Sequence, residues 1–185
     1  VYTEGSFWNA DEKNDKENST VDTVINGGTI DAIGIYYWDT EKDLKWTFDV
    51  SEKATINKVN DFAATTKTEK GTGYFKTVQD AIDTAETSGT VKLITNTTES
   101  LTIAEGKTVT LDLNGHTLTN EDGKHTITNN GTLTVTDTST EKTGVVDNVS
   151  HQKAAVENMP GGTITLTCGT YTRSKENGIS ATNNG

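Results

Sequence analysis

A short pattern returns along the second half of this chain. It consists of an apolar residue, any residue and Asn, then Gly, then Thr-apolar-Thr-apolar-Thr. It runs from Ile127 through Asn129 and Gly131 to Thr136, and again from Val156 through Asn158 and Gly162 to Thr167. Leu101-Thr102-Ile103, followed by Gly106 and Thr108 to Leu111, is an earlier copy. Ile179 to Gly185 reads as the start of a later one. The copies begin near 101, 127, 156 and 179, in steps of 26, 29 and 23 residues. Repeats of this length with two short strands each fit a β-solenoid, whose coils each add strands to long parallel sheets. Apolar residues then point inward and alternate with outward Thr, while Gly and Asn take the corners that need left-handed backbone angles. Asn129, Asn158 and Asn183 recur near one corner and are candidates for a stacked amide ladder.

Composition agrees with this pattern. The chain has 185 residues, and Thr supplies 37 of them, which disfavours long helices because its branched side chain suits a pleated surface. With 27 acidic against 16 basic groups the net charge is −11, which repels nucleic-acid phosphate. Cys168 is the only Cys, so no disulfide framework is possible within the chain. The longest apolar stretch, Ala32 to Trp38, is far short of the roughly 20 residues a membrane helix needs. No secretory leader precedes Val1, which leaves an intracellular chain or a trimmed piece of an exported one. Low hydrophobicity with high charge would suggest disorder, but the apolar residues alternate regularly instead of scattering.

Four regions follow one another. Residues 1–22 are polar and include the charge run Asp11 to Glu17. Residues 23–62 contain Tyr36, Tyr37, Trp38 and Trp46. Within them, Ile33 to Trp38 and Leu44 to Val50 read as two strands of a hairpin with one buried face. Residues 63–73 are small and polar and read as a linker or loop. Residues 74–185 are Thr-, Gly- and Asn-rich. At the level of domains, 1–70 is an aromatic-rich β region, a decoration or small domain, and 71–185 a helix-capped set of coils. Asn183-Asn184-Gly185 stops where the frame predicts another strand, so the coils are expected to continue in a longer protein.

The helix is expected over 75–86. Phe75, Val78, Ala81, Ile82 and Ala85 share one face, Thr77 reads as the N-cap with Asp80 in the first turn, and Ser88-Gly89 ends the pattern. Tyr74 to Ala85, followed by Thr90-Val91-Lys92-Leu93-Ile94, resembles the N-terminal capping segment of right-handed parallel β-helix proteins, the pectin methylesterase and pectate-lyase-like group. Val109 to Leu118, with its Asn114-Gly115 turn, resembles the first coils of large β-helix surface proteins from gut Gram-positive bacteria. The resemblance covers about 74–185, roughly 60% of the chain. It implies a mainly β fold: a right-handed parallel β-helix with one N-terminal capping helix, here preceded by the aromatic-rich hairpin region.

The activities of that group do not carry over. A pectin methylesterase would present an Asp pair and an Arg on successive coils, within motifs that have no match here. Only Asp112, Asp137 and Asp147 lie on coil-like positions. A pectate lyase would present a calcium-binding Asp cluster and a strand-borne Arg, but the single Arg, Arg173, lies in a loop. His116, His125 and His151 share no metal-ligand spacing, Cys168 lacks a neighbouring His, and Asp11 to Glu17 lacks the Gly and terminal Glu of an EF-hand. No catalytic residue, metal or cofactor is therefore expected.

The best ligand candidates are the aromatic residues Trp8, Tyr36, Tyr37, Trp38 and Trp46, because flat side chains suit sugar rings and protein hot spots alike. The expected function is a non-enzymatic extracellular binding module of a bacterial surface or secreted protein. Its partner would be a host protein, with immunoglobulin as one example, or a glycan. The chain is expected to be a monomer with no nucleic-acid partner and no membrane insertion. Two alternatives stand beside this: N-terminal coils of a polysaccharide lyase or esterase whose catalytic residues lie downstream, and a purely structural stalk.

Overall fold

The computed structural model describes residues 20–34, 45–121, 123–175 and 181–183. Two short coils come first. Thr20–Ile25 (β1) and Gly28–Ile30 (β2) form one, and Lys45–Val50 (β3) and Ala54–Ile56 (β4) form the next. β1 runs parallel to β3 with Ile25 opposite Val50, β2 parallel to β4 with Ile30 opposite Ile56, and a parallel bridge joins Ile33 to Val59. Backbone amides continue the ladder around the corners: Ser51 N–H donates to the Ile25 carbonyl at 2.9 Å and Asn57 N–H to the Ile30 carbonyl at 3.0 Å. The expected pairing of 33–38 with 44–50 is replaced, because one edge of β3 is taken by β1 and the other by residues 71–75. Residues 35–44 lie outside the described residues.

An antiparallel hairpin is present further on, where a linker was expected. Ala64–Thr68 (β5) pairs with Gly71–Phe75 (β6), and β6 also pairs antiparallel with β3. The segment lacks an apolar alternation because Thr66 takes an inward position. It is buried, and its hydroxyl donates to the Thr90 carbonyl at 2.9 Å. A hydroxyl thus fills a core site that a sequence pattern assigns to a hydrocarbon.

The helix (α1) spans Val78–Thr84, with Thr77 as N-cap accepting from Asp80 N–H and the C-cap at Ala85. It ends before the expected Ser88-Gly89 because the chain turns extended at Ala85. Val78, Ala81 and Ile82 are buried. Two side chains from the coils, Glu99 and Lys107, and one from the helix itself, Gln79, fix it in place. Glu99 accepts the N–H groups of Val78 and Gln79 at 2.8 and 2.9 Å. Gln79 pairs both its amide atoms with the backbone of Thr102, at 2.8 and 3.1 Å. Lys107 donates to the carbonyls of Asp83 and Ala85 at the other end. The Gln79 amide occupies backbone groups on an otherwise open sheet edge, so the helix both covers the core and blunts that edge.

Four rungs of three strands follow. Gly89–Leu93 (β7), Thr97–Thr98 (β8) and Leu101–Ile103 (β9) form the first. Thr108–Asp112 (β10), Thr117–Thr119 (β11) and Ile127–Asn129 (β12) form the second. Thr132–Thr136 (β13), Val145–Asp147 (β14) and Val156–Asn158 (β15) form the third. Thr163–Leu166 (β16), Thr170–Thr172 (β17) and Ala181–Asn183 (β18) form the fourth. The rungs stack in register and in parallel, with Val109 over Leu133 over Ile164 and Ile127 over Val156 over Ala181. This is a parallel β-helix. The fourth copy therefore begins at 181, not 179, because Ala181 takes the place of Val156 and so keeps Asn183 in line with Asn158.

Two cores lie on opposite faces of one sheet, whose strand order is β1-β3-β6-β5-β7-β10-β13-β16. Phe48 stands opposite Tyr74, and Thr47 opposite Phe75. Successive side chains alternate between faces. Phe48, Val50 and Phe62 pack with Tyr74 and Ile94, whereas Phe75, Ala64, Val91 and Leu93 belong to the core of the β-helix. The antiparallel hairpin thus reverses the coil, and the inner face of the first two coils continues as the outer face of the β-helix.

Candidate functional site

Of the expected Asn ladder, Asn129 and Asn158 are joined side chain to side chain at the end of the third strand of the second and third rungs, while the first rung has Ile103 in that place and the side chain of Asn183 lies outside the described residues. Asn129 is fully buried and donates to Asn158 Oδ1 at 2.6 Å and to the Thr163 carbonyl at 3.0 Å, while its own Oδ1 accepts Gly131 N–H at 3.3 Å. Asn158 in turn donates to the Gly162 carbonyl at 2.8 Å, and Asn183 lies opposite Asn158 in the strand register. A second Asn corner exists. Asn120 donates to Ser150 Oγ at 2.6 Å and accepts Val149 N–H at 2.7 Å, and Asn148 donates to the Ala154 carbonyl at 3.0 Å. Its signal is an Asn directly after the second strand of successive rungs, at Thr119-Asn120 and Asp147-Asn148.

The three Asp residues on coil positions are spent on corners. Asp112 accepts Asn114 N–H and both Thr138 N–H and Oγ–H. Asp137 is buried and accepts the N–H groups of Gly115, Ser139 and Gly144 together with the Ser139 hydroxyl. Burial alone would raise its pKa, but the Ser139 hydroxyl and these amides outweigh that and hold it below the ordinary value. Asp147 behaves alike. Burial is opposed by the Ser174 and Thr172 hydroxyls and by backbone amides, and the net shift is downward.

Of the aromatic candidates, Trp8, Tyr36, Tyr37 and Trp38 lie outside the described residues. Trp46 is placed in β3 by its backbone, opposite Val21. Cys168 is half-buried and its carbonyl accepts the Tyr171 hydroxyl at 3.0 Å. Burial and the neighbouring Cys168 push the Tyr171 pKa up to about 12.

His125 forms a distinct polar cluster. Its Nδ1 accepts Ala154 N–H at 2.9 Å and its Nε2 lies 3.1 Å from Glu157. Burial lowers its pKa, Glu157 opposes this, and the charges of Lys153 and Arg173 add to the lowering. Protonation would remove the acceptor of Ala154 N–H. A group with a depressed folded pKa contributes stability that is present above its unfolded value, here about 6.5, and lost as pH falls toward the folded value. Thermal melting followed between roughly pH 8 and 5 should therefore fall more steeply for the native chain than for His125→Gln. Parallel curves would remove His125 as the cause.

One cleft, of about 710 Å³, opens where the two cores meet. Val59, Asn60 and Asp61 arrive from the corner after β4, Phe62 and Ala63 form its floor, Tyr74 with Thr72 and Thr65 forms one wall, and Ile94, Thr95 and Thr97 the other. Lys76 stands at its edge. The floor is fixed by main-chain bonds, with Ala63 N–H donating to the Phe75 carbonyl at 2.9 Å and Ile94 N–H to the Ala63 carbonyl at 3.0 Å. Phe62 stacks edge-on against both Phe48 and Tyr74, with ring centroids 5.2 and 6.2 Å away. Burial raises the Tyr74 pKa above its ordinary value. Asp61 holds a left-handed backbone at φ 64°, a strained conformation for a residue with a side chain.

No helix among the described residues is long and apolar enough to cross a membrane. Comparison with protein-family models, with curated proteins and with solved structures finds no match, so the fold and the chemistry of the cleft carry the functional reading.

Proposed function

We propose that the chain is a non-enzymatic extracellular binding module of a bacterial surface or secreted protein, whose partner is a host protein, such as an immunoglobulin, or a glycan. The observation that carries this reading is the division of labour among the polar groups. Asp112, Asp137 and Asp147 direct their oxygens at corner amides and hydroxyls, the arrangement that builds a scaffold. The hydroxyls of Thr108, Thr110, Thr132, Thr134, Thr163 and Thr165 stand on the outer face in two in-register columns. Stacked rungs make that face rigid, and a rigid repetitive flank loses little conformational entropy on contact with a partner. The acidic, Arg-poor composition fits an exported protein.

The test is capture by the immobilised chain from host serum and mucus, with a glycan array in parallel. A saturable binder is the expected result. Absence of any, with the fold shown intact by circular dichroism, would leave the stalk reading. Where a binder is found, a Trp38→Ala, Trp46→Ala double variant assigns or removes the aromatic segment as its contact surface.

A further inference from the structure

We infer that the cleft formed by Asn60 to Ala63, Tyr74, Ile94, Thr95 and Thr97 is a binding site for a neutral glycan. The inference rests on the reading of the chain as a binding module and names the ligand class and its place.

The cleft arises from the reversal of the coil. The inner face of the first two coils needs a cover after Phe48 and Val50, and Phe62 supplies it by packing edge-on to Phe48. Beyond Phe62 the same face becomes solvent-facing, because β5 and β7 bury their other side in the β-helix core. Tyr74 stands at that boundary. Its ring makes a T-shaped contact with Phe62, and its side chain is half-buried. A part-exposed aromatic ring, locked by a second ring, offers an apolar platform at small entropic cost, and the axial C–H faces of a pyranose fit such a platform.

Besides Val59, Ala63 and Ile94, the rest of the lining is polar and neutral on balance. Asn60, Thr65, Thr72, Thr95 and Thr97 carry amide and hydroxyl groups that both donate and accept, which matches the hydroxyls of a sugar. Asp61 and Lys76 contribute one charge of each sign. A net charge of −11 disfavours polyanions such as uronate or sulfated chains by long-range repulsion. A lipid or apolar drug-like ligand would need a lining dominated by hydrocarbon, which this cleft lacks. Its volume of about 710 Å³ holds a short oligosaccharide.

Two variants separate the cleft from the fold. Tyr74→Ala removes the platform. Thr95→Trp fills the cleft from an exposed position whose side chain makes no hydrogen bond to lose. The probes are an array of neutral and anionic oligosaccharides, followed by calorimetric titration of the strongest neutral ligand. Neutral members should bind in preference to anionic ones, and each variant should weaken binding about tenfold or more, the loss expected for an aromatic anchor. Thr95→Trp should do so without changing the melting temperature. Equal binding by folded Thr95→Trp, or no neutral oligosaccharide bound at millimolar concentration by the folded parent chain, would overturn the assignment. If a serum or mucus protein is then retained by the parent and by Thr95→Trp alike, the binding-module reading stands and the cleft is not its site.

Discussion

Asn129→Ala is expected to lower the unfolding free energy by about 2–4 kcal/mol, at an unchanged urea dependence. The side chain is fully buried and reaches two rungs at once. Its removal takes away the acceptor of Gly131 N–H and the donors to Asn158 Oδ1 and the Thr163 carbonyl. The Gly131 carbonyl keeps a second bond from Thr163 N–H, so the loss is less than a count of four bonds would give. Each buried polar group left without a partner costs about 1–3 kcal/mol, which sets the range. Asn129→Asp tests the mechanism, since an ionised carboxylate of the same shape can accept but not donate. It should cost at least as much as Ala despite filling the space. The neighbouring Asn130→Ala, which loses one long bond of 3.3 Å to the Ile103 carbonyl, should cost under about 1 kcal/mol. A loss below about 1 kcal/mol for Asn129→Ala would show that the ladder contributes little to stability.

The β-helix was legible because its physics repeats. Inward Leu, Ile and Val at every second position, with Thr between, can only be satisfied by strands with one buried face. The recurrence of Asn after the third strand marked a corner, and Thr77 with Asp80 marked the start of the helix. The end of the helix was less legible. Ala85 continues the apolar face and is buried, yet its backbone has already left helical geometry. The fourth copy of the repeat begins two residues later than its sequence suggests because Ile179 is the better hydrophobe, whereas register is held by the Asn in line with Asn158.

The hairpin and the cleft were not legible for a common reason. Thr66 uses its hydroxyl to satisfy the Thr90 carbonyl and so enters the core without a hydrophobic signature. Gly73 leaves room for the ring of Phe75, whose Cε2 would lie 2.7 Å from an added Cβ, so this strand reads as a small-residue loop. With the hairpin hidden, the reversal of the coil is hidden too. The cleft depends on that reversal, because its lining comes from residues 59–63, 65, 72, 74, 76, 94, 95 and 97. No spacing rule joins those positions. Only the antiparallel register, which places Tyr74 opposite both Phe48 and Thr65, brings them together.

Gly71→Ala should therefore damage the cleft from a distance, and by more than its size suggests. Gly71 begins β6 at φ 137°, and an added Cβ would lie 2.1 Å from the Val50 carbonyl oxygen and 2.7 Å from its carbon. Backbone, not a flexible side chain, occupies that space, so β3 and β6 cannot keep their pairing. A positive φ by itself costs an L-residue roughly 1–2 kcal/mol. Gly161→Ala isolates that part, since Gly161 has φ 87° and nothing within 4 Å of an added Cβ. The difference between the two variants reports the clash, and Gly71→Ala should exceed Gly161→Ala by about 2 kcal/mol or more. Hydrogen exchange locates the effect. Amides of β3 and β6 should lose protection in Gly71→Ala while those of β10 and β13 keep it, because the β-helix core lies on the other face and is closed by α1. Neutral-glycan binding should fall with the β6 amides, since Thr72 and Tyr74 ride on that strand. Loss of protection spread evenly through β13 would instead mean that the two cores unfold as one unit, and that the sheet couples them more tightly than their separation on opposite faces implies.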